Sequence, residues 1–322
     1  QSYQRPPLSK KYMAGALERE RMMLRPAPLY EPHSIETRLG RREAEIYRRD
    51  QRLRLDDGST VAYDALLIAT GSRPRPLPAP GADLDGVHFL RTIADVERIR
   101  AEWAPGKRLV IVGGGYIGLE VAATARELGL DVTVLEMADR VMNRVVCPEI
   151  SAFYEAEHAR RGVRILCNSR VRALAAAAGS RRVHAVITDD GEEHTADCVV
   201  VGCGVLPADA LAVACGLQCE NGVAVDDRCR TSDPVIYAAG DCTSHPSLRY
   251  GRRLRLESVD NAFEQGASAA LNMLGMETMH DKLRWFWSVG APVESLPSPA
   301  RKAKNSMLLQ KNTASRLPSG QS

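Results

Sequence analysis

The residues best placed to do chemistry are three glycines at a set spacing, Gly113, Gly115 and Gly118, and an acidic residue, Glu136, eighteen positions after the last of them. Between a strand and a helix, the first two glycines let the chain turn and let a pyrophosphate approach the backbone. The third lets helix pack on strand, and the helix N-terminus supplies amide donors and partial positive charge. Glu136 is placed to accept hydrogen bonds from a ribose 2′-hydroxyl. Its charge repels a 2′-phosphate, so the spacing predicts NADH rather than NADPH. A second candidate is Arg5-Pro6-Pro7-Leu8-Ser9-Lys10, where a stiff diproline is flanked by two cations. A rigid loop delivering a lysine to a fixed point suits an anionic or electron-accepting ligand, though spacing alone favours a solvated cation.

These residues need elements to hold them. Within Arg108 to Met137, the run Leu109 to Val112 reads as a strand entering the glycine turn. Tyr116 to Leu128 carries apolar residues at helical spacing (Ile117, Val121, Leu128), Gly129 is placed to stop it, and Val132 to Leu135 is the next strand. This is a βαβ unit. Outside it, Tyr63 to Gly71 and Val235 to Asp241 read as buried strands, the first followed by a proline-rich linker from Pro74 to Pro80 and the second by an irregular basic loop. Helices are predicted over Glu149 to Arg161 and from about Asn261 to Leu274, with a hairpin at Asp189-Asp190-Gly191. A dinucleotide domain inserted between two parts of another domain follows.

Composition narrows the classes. At 322 residues the chain exceeds one comfortable core, and 44% hydrophobic content with 26% charge excludes a disordered or fibrous protein. No apolar run is long enough to cross a membrane as a helix. The net charge of +3 is a tail property: seven Lys or Arg against one Glu fall between Lys282 and Ser322, leaving a mildly acidic body. That argues against nucleic-acid binding. The eight cysteines show no CxxC pair or zinc spacing and read as reduced thiols in a cytoplasmic protein without a metal.

Six segments occur in one order: YQRPPLSKKYMAG, YDALLIATG, FLRT, VIVGGGYIGLEVAATA, TSDPVIYAAGDC and ESVDNAFEQG. Together they resemble the FAD-dependent NADH:ferredoxin or rubredoxin reductases that feed Rieske oxygenases and P450s, over about residues 1–288. Apoptosis-inducing factor is a more distant relative with a similar motif set. The resemblance implies an α/β protein with two Rossmann-like domains of glutathione-reductase type: a FAD domain in two parts, 1–106 and 229–288, around an NAD domain at 107–228, and a disordered or frameshifted tail at 289–322. It further implies that NADH gives a hydride to FAD and that single electrons leave to an iron–sulfur ferredoxin or a rubredoxin.

The same resemblance assigns roles by position. Lys10 and Glu120 match a pair beside the flavin ring that positions flavin and nicotinamide. Arg5, Pro6 and Pro7 match the loop covering the flavin, while Ala69, Thr70 and Gly71 match the strand end passing the FAD phosphates. Arg91 matches a FAD-contacting arginine, Asp241 the aspartate on the ribityl chain, and Val259 the segment at the flavin pyrimidine edge. Glu43 lies where a backbone meets adenine, and Trp285, with Trp287, resembles an aromatic pair near the flavin. The NAD contacts implied are Gly113, Gly114, Gly115, Tyr116, Ile117, Gly118, Glu120, Glu136 and Gly204. The arginines from Arg249 to Arg255 could steer an acidic ferredoxin, or simply be solvated.

Departures from the family pattern set further expectations. A βαβ unit with its own GxGxxG should precede Tyr3, and WFWS at 285–288 should lead into a C-terminal α+β domain. The reading therefore expects a sequence partial at both ends. A disulfide reductase or NADH peroxidase needs a redox cysteine near the flavin; the Arg5–Lys10 loop has none, and the nearest in sequence is Cys147. A third reading is a dinucleotide-binding remnant or redox-signalling protein without turnover.

Overall fold

The computed structural model describes residues 2–25 and 30–281. Its centre is a five-stranded parallel sheet, in spatial order Val87–Phe89, Cys198–Val201, Arg108–Val112, Asp131–Leu135 and Arg164–Leu166. Parallel strands are buried on both faces, and these read as near-continuous β-branched runs for that reason. Alternate residues supply the two faces. Leu109, Ile111, Val132, Val134, Cys198 and Val200 pack under helices α1 (Ile93–Glu102) and α2 (Tyr116–Glu127). Val110, Val112, Leu135, Val199 and Val201 face Leu174, Val183 and Val186 of an antiparallel sheet on the other side.

Each helix has a visible start. Thr92 and Asp95 form a reciprocal capping box at α1, and Gly115 opens α2 directly after the glycine turn. The strand Val87–Phe89 pairs with Cys198–Val201 in the sheet that carries the glycine turn, and α1 packs on that sheet. A parallel edge strand needs only three residues here, too few to leave a pattern.

Helices α3 (Pro148–Arg160), α4 (Ala210–Ala214) and α5 (Val259–Met273) follow. The hairpin expected at Asp189-Asp190-Gly191 joins the antiparallel strands Val183–Thr188 and Glu193–Thr195. Elsewhere the expected elements are trimmed. The strands predicted over 63–71 and 235–241 shrink to Leu66–Ile68 and Ile236–Ala238, which pair in parallel. Their flanking residues bend away as loops. The last helix starts two residues earlier than predicted because the Ser258 hydroxyl accepts the Asn261 amide as an N-cap.

The basic loop after Asp241 is instead an antiparallel pair, Thr243–Ser247 with Arg252–Leu254. Two of its arginines are used locally: Arg253 donates to the Val225 carbonyl at 2.8 Å, and Arg255 pairs with Glu257 at 2.6 Å. Arg249 and Arg252 are exposed. A small sheet of Glu43–Tyr47, Arg52–Leu55 and Thr60–Ala62, unread in the sequence because charges interrupt its alternation, seats Ile46 against Ile68 and Ile236. No helix of the described residues is long and apolar enough to cross a membrane.

One buried group makes stability depend on pH. His158, on α3, is 1% exposed and stacks on Tyr154 with ring centroids 6.5 Å apart. Neither ring nitrogen has a hydrogen-bond partner among the described residues. Burial pulls its pKa from 6.5 down to about 4, against the attraction of Glu157. A lowered folded-state value means that the unfolded chain takes the proton first as pH falls. The contribution is complete above about pH 6.5, and ~3 kcal/mol is lost as pH drops toward 4. Urea midpoints of the wild type and His158→Phe should therefore converge toward acid pH, the variant losing less; parallel curves would contradict this.

Candidate active site

The glycine turn lies at the carboxyl ends of the central strands. Gly113 has φ +111°, and a Cβ on it would sit 2.6 Å from the Gly202 carbonyl. A Cβ on Gly118 would sit 2.0 Å from the Gly113 carbonyl, so the helix can approach the strand only at glycine. Gly115 differs: nothing lies within 4 Å of where its Cβ would be. No atom of the described residues demands glycine there, and the open space at the head of α2 suits the close approach of a phosphate. That is the fit a dinucleotide requires.

Glu136 follows the strand Asp131–Leu135, with one carboxylate oxygen accepting the Gly114 amide at 2.7 Å and the other the Ala138 amide at 2.8 Å. It is thus fastened beside the turn, with lone pairs to spare. Gly114 closes under Val141 and Glu136. Tyr116 packs with Leu119, Val141, Met142 and Tyr154, and burial pushes its phenol up to about 12. Ile117 is 46% exposed, and Gly204 ends the segment after Cys198–Val201, its carbonyl accepting from Arg75.

Lys10 meets this unit from far away in sequence. A 3-10 turn, Pro6–Ser9, begins with the diproline, whose fixed φ suits the first positions of a helical turn. Leu8, Tyr12 and Met13 then lock the segment into the core shared with α1 and α2. Lys10 Nζ lies 2.6 Å from Glu120 Oε2, and Glu120 is 4% exposed. Nζ also donates to the Pro6 carbonyl at 3.3 Å. Ser9 Oγ donates to the same Glu120 oxygen at 2.6 Å.

A third cluster lies at the end of Leu66–Ile68. The Thr70 hydroxyl donates to the Ala208 carbonyl at 2.6 Å, which secures the stretch Ala69–Gly71. At Gly71 two cations converge: its Cβ position is 3.4 Å from an Arg91 nitrogen and 3.5 Å from an Arg5 nitrogen. Asp241 accepts from Ser72 Oγ at 2.8 Å and from Arg91 Nη2 at 3.2 Å. Burial pulls the Arg91 pKa down, the Arg5 charge adds to this, and Asp241 opposes it. Arg91 Nε is buried without a hydrogen-bond partner among the described residues. Two crowded guanidiniums and an unused donor fit the phosphate-rich body of FAD.

Asp241→Ala is expected to cost ~1–3 kcal/mol of FAD binding, because Arg91 loses the group that orients it beside Arg5. The check is flavin retained after dialysis; full occupancy would count against the role.

The remaining assignments are less engaged. Glu43 is exposed at the start of its small sheet, paired in register with Leu55. Val259 opens α5 and is 48% exposed. Trp285 and Trp287 lie outside the described residues.

Several polar residues went unread in the sequence: Ser9, Thr124, Ser72 and Gln265. Gln265 is fully buried, and its oxygen accepts the Gly240 amide at 2.8 Å and the Thr243 hydroxyl at 2.9 Å, holding the turn that presents Asp241. Its signal was available, since Asn261, Gln265, Ser268 and Asn272 form a polar stripe at helical spacing on the buried side of α5.

None of the eight cysteines forms a disulfide. One of them, Cys198, gathers with His88 and Glu102 so that their ligand atoms lie within 4.8 Å of one another. Arg182 sits 2.7 Å from the Glu102 carboxylate, and burial pushes the Cys198 thiol up to about 12. A guanidinium on the carboxylate and a thiol kept protonated make this a packed polar cluster rather than a cation site.

The family model for pyridine nucleotide-disulphide oxidoreductases matches residues 1–266. Rhodocoxin reductase of Rhodococcus erythropolis is 43% identical over 286 residues, which is 89% of this chain and 66% of that protein. The ferredoxin–NAD(+) reductase component of the anthranilate 1,2-dioxygenase system of Burkholderia cepacia is 44% identical over 286 residues, covering 89% and 70%. Among solved structures, the covalent putidaredoxin reductase–putidaredoxin complex aligns with a TM-score of 0.86 at 41% identity, over 90% of this chain and 70% of that one. The chain thus spans about two thirds of the length of the curated relatives it matches. By the family match over residues 1–266 and by these relatives, the chain belongs to the pyridine nucleotide-disulphide oxidoreductase family, among its ferredoxin reductases.

Proposed function

We propose that the protein is an NADH-oxidising flavoprotein that passes single electrons to an iron–sulfur ferredoxin or a rubredoxin serving an oxygenase. The observation that carries this reading is the 2.6 Å contact of Lys10 with the buried Glu120, which joins the loop from the flavin side to the helix on the nucleotide side. In this reading, residues 1–106 and 229–288 are the two parts of the FAD domain, with 107–228 inserted as the NAD domain. The strand Val87–Phe89 is lent to the nucleotide sheet.

This reading divides the labour among the residues, and the geometry supports it. Gly113 to Gly118 and the head of α2 hold the NADH pyrophosphate, and Glu136 holds the adenosine ribose. Arg5, Arg91, Gly71 and Asp241 hold FAD. Bound FAD would accept a hydride as an electron pair and release the electrons one at a time. Lys10, kept in place by Glu120 and the Pro6 carbonyl, orients the reacting faces and presents positive charge near them.

Relatives named as ferredoxin reductases support the acceptor class. The exposed Arg249 and Arg252 suit an acidic partner. Eight cysteines that form no disulfide support a reducing compartment, the cytoplasm.

The test is an anaerobic titration of the FAD-loaded protein with NADH, followed by addition of a ferredoxin. Bleaching of the flavin bands and their return with ferredoxin reduction is the expected result. Retained flavin that NADH leaves unbleached would overturn the reading.

A further inference from the structure

Glu120 is held by more than its lysine. Its Oε2 accepts two short hydrogen bonds, one from Lys10 Nζ and one from Ser9 Oγ, each at 2.6 Å. Ser9 is itself 2% exposed. One turn further along α2, the Thr124 hydroxyl lies 3.0 Å from both the Ser9 carbonyl and the Glu120 carbonyl, and its single proton is shared between them. Ser9 is therefore fastened to α2 through its side chain and through its backbone. Both links reach the stretch of helix that carries Glu120.

We propose that Ser9 is a positioning residue for the Lys10–Glu120 pair, with Thr124 as its brace. The proposal rests on the functional reading above and deepens it. A lysine ammonium is a flexible point charge on a four-carbon stem with three donors, and it has no geometric preference of its own. Two oxygens hold Nζ here, Glu120 Oε2 and the Pro6 carbonyl. Glu120 can serve as a fixed anchor only if its own rotamer is fixed. The Ser9 hydroxyl does this from the residue adjacent to Lys10, so carboxylate and ammonium are referenced to the same short turn. Thr124 then fixes that turn to the helix whose head receives the nucleotide. The flavin-side loop and the nucleotide-side helix are thereby joined within a few ångströms of the reacting groups, on a turn and a helix rather than across a mobile loop.

The test uses Ser9→Ala, Ser9→Thr and Thr124→Val in the full chain, with two readouts. The first needs no flavin: the rate at which a water-soluble acetylating ester modifies Lys10, followed by mass spectrometry, with the exposed neighbour Lys11 as internal control. Ser9→Ala should speed Lys10 modification about 10-fold, the loss of one charge-assisted hydrogen bond at a buried carboxylate, and leave Lys11 unchanged. Thr124→Val should act in the same direction with a smaller effect, and Ser9→Thr should restore the wild-type rate. The second readout is stopped-flow flavin reduction. Ser9→Ala should lower the limiting rate about 10-fold without weakening NADH binding, because Ser9 acts through Lys10 and Glu120.

Unchanged Lys10 labelling in Ser9→Ala would overturn the proposal, as would equal acceleration at Lys10 and Lys11, which would mark general loosening. If NADH fails to bleach the wild-type flavin, the functional reading fails, and the labelling result still decides the role of Ser9. If bleaching is normal and Ser9→Ala bleaches at the same rate, the positioning role fails alone.

Discussion

Replacing Lys10 with alanine should slow reduction of the flavin by NADH about 100-fold, the order of loss expected when reacting groups lose their alignment. The reason is local. Lys10 Nζ is the cation nearest a carboxylate that is 4% exposed, and it is tied back to Pro6 of its own turn. Alanine removes the cation that faces this buried carboxylate, at a cost of ~3 kcal/mol in stability. Stability and rate must then be separated. The double variant Lys10→Met with Glu120→Gln replaces the pair by neutral groups of similar size. It should recover most of the melting temperature and none of the rate. Stopped-flow traces that match the wild type in either variant would refute the role of Lys10.

Glu136→Arg should exchange the cofactor preference, moving the ratio of kcat/KM for NADH over NADPH by about 1000-fold, comparable to the loss when a built hydrogen-bonding site goes unmatched. In the wild type both carboxylate oxygens are secured by backbone amides, Gly114 and Ala138, so the acceptor beside the turn cannot swing away from a ribose. Arginine reverses the charge at that point and frees both amides, which then suit a phosphate. Because the carboxylate also braces the turn, kcat for NADH should fall as well. Glu136→Gln separates the two effects: it should weaken NADH without favouring NADPH. An unchanged preference in the arginine variant, taken from kcat/KM for each nucleotide, would remove Glu136 from the site.

The two sites differ in how legible they were. The turn at Gly113–Gly118 is encoded by contiguous residues: a β-branched strand, glycines where a Cβ would strike the Gly202 or Gly113 carbonyl, and a helix stopped by Gly129. The glycines, the strand and the helix all lie within one βαβ unit, so pattern alone reveals the turn. The hairpin at 189–191 was legible for the same reason. The small sheet over 43–62 was not, because its strands owe their existence to Ile46 packing on Ile68 and Ile236 rather than to their own alternation. The strand Val87–Phe89 was missed because it depends on a partner, Cys198–Val201, more than a hundred residues away.

What the sequence determined by itself is the chemistry each segment can offer: a phosphate-accepting turn, an acidic ribose acceptor, a stiff loop with a lysine, and motifs in the order of a reductase. Only the tertiary structure decided which of these act together. Ser9 and Glu120 are 111 positions apart, and nothing in either segment announces the other. They meet because Leu8, Tyr12 and Met13 are apolar enough to draw the N-terminal turn into the core beneath α1 and α2, which carries Lys10 to the one buried carboxylate on that helix. Local patterns specify local geometry; a pair that spans the chain is specified by the burial of its neighbours, and that becomes visible only once the core is assembled.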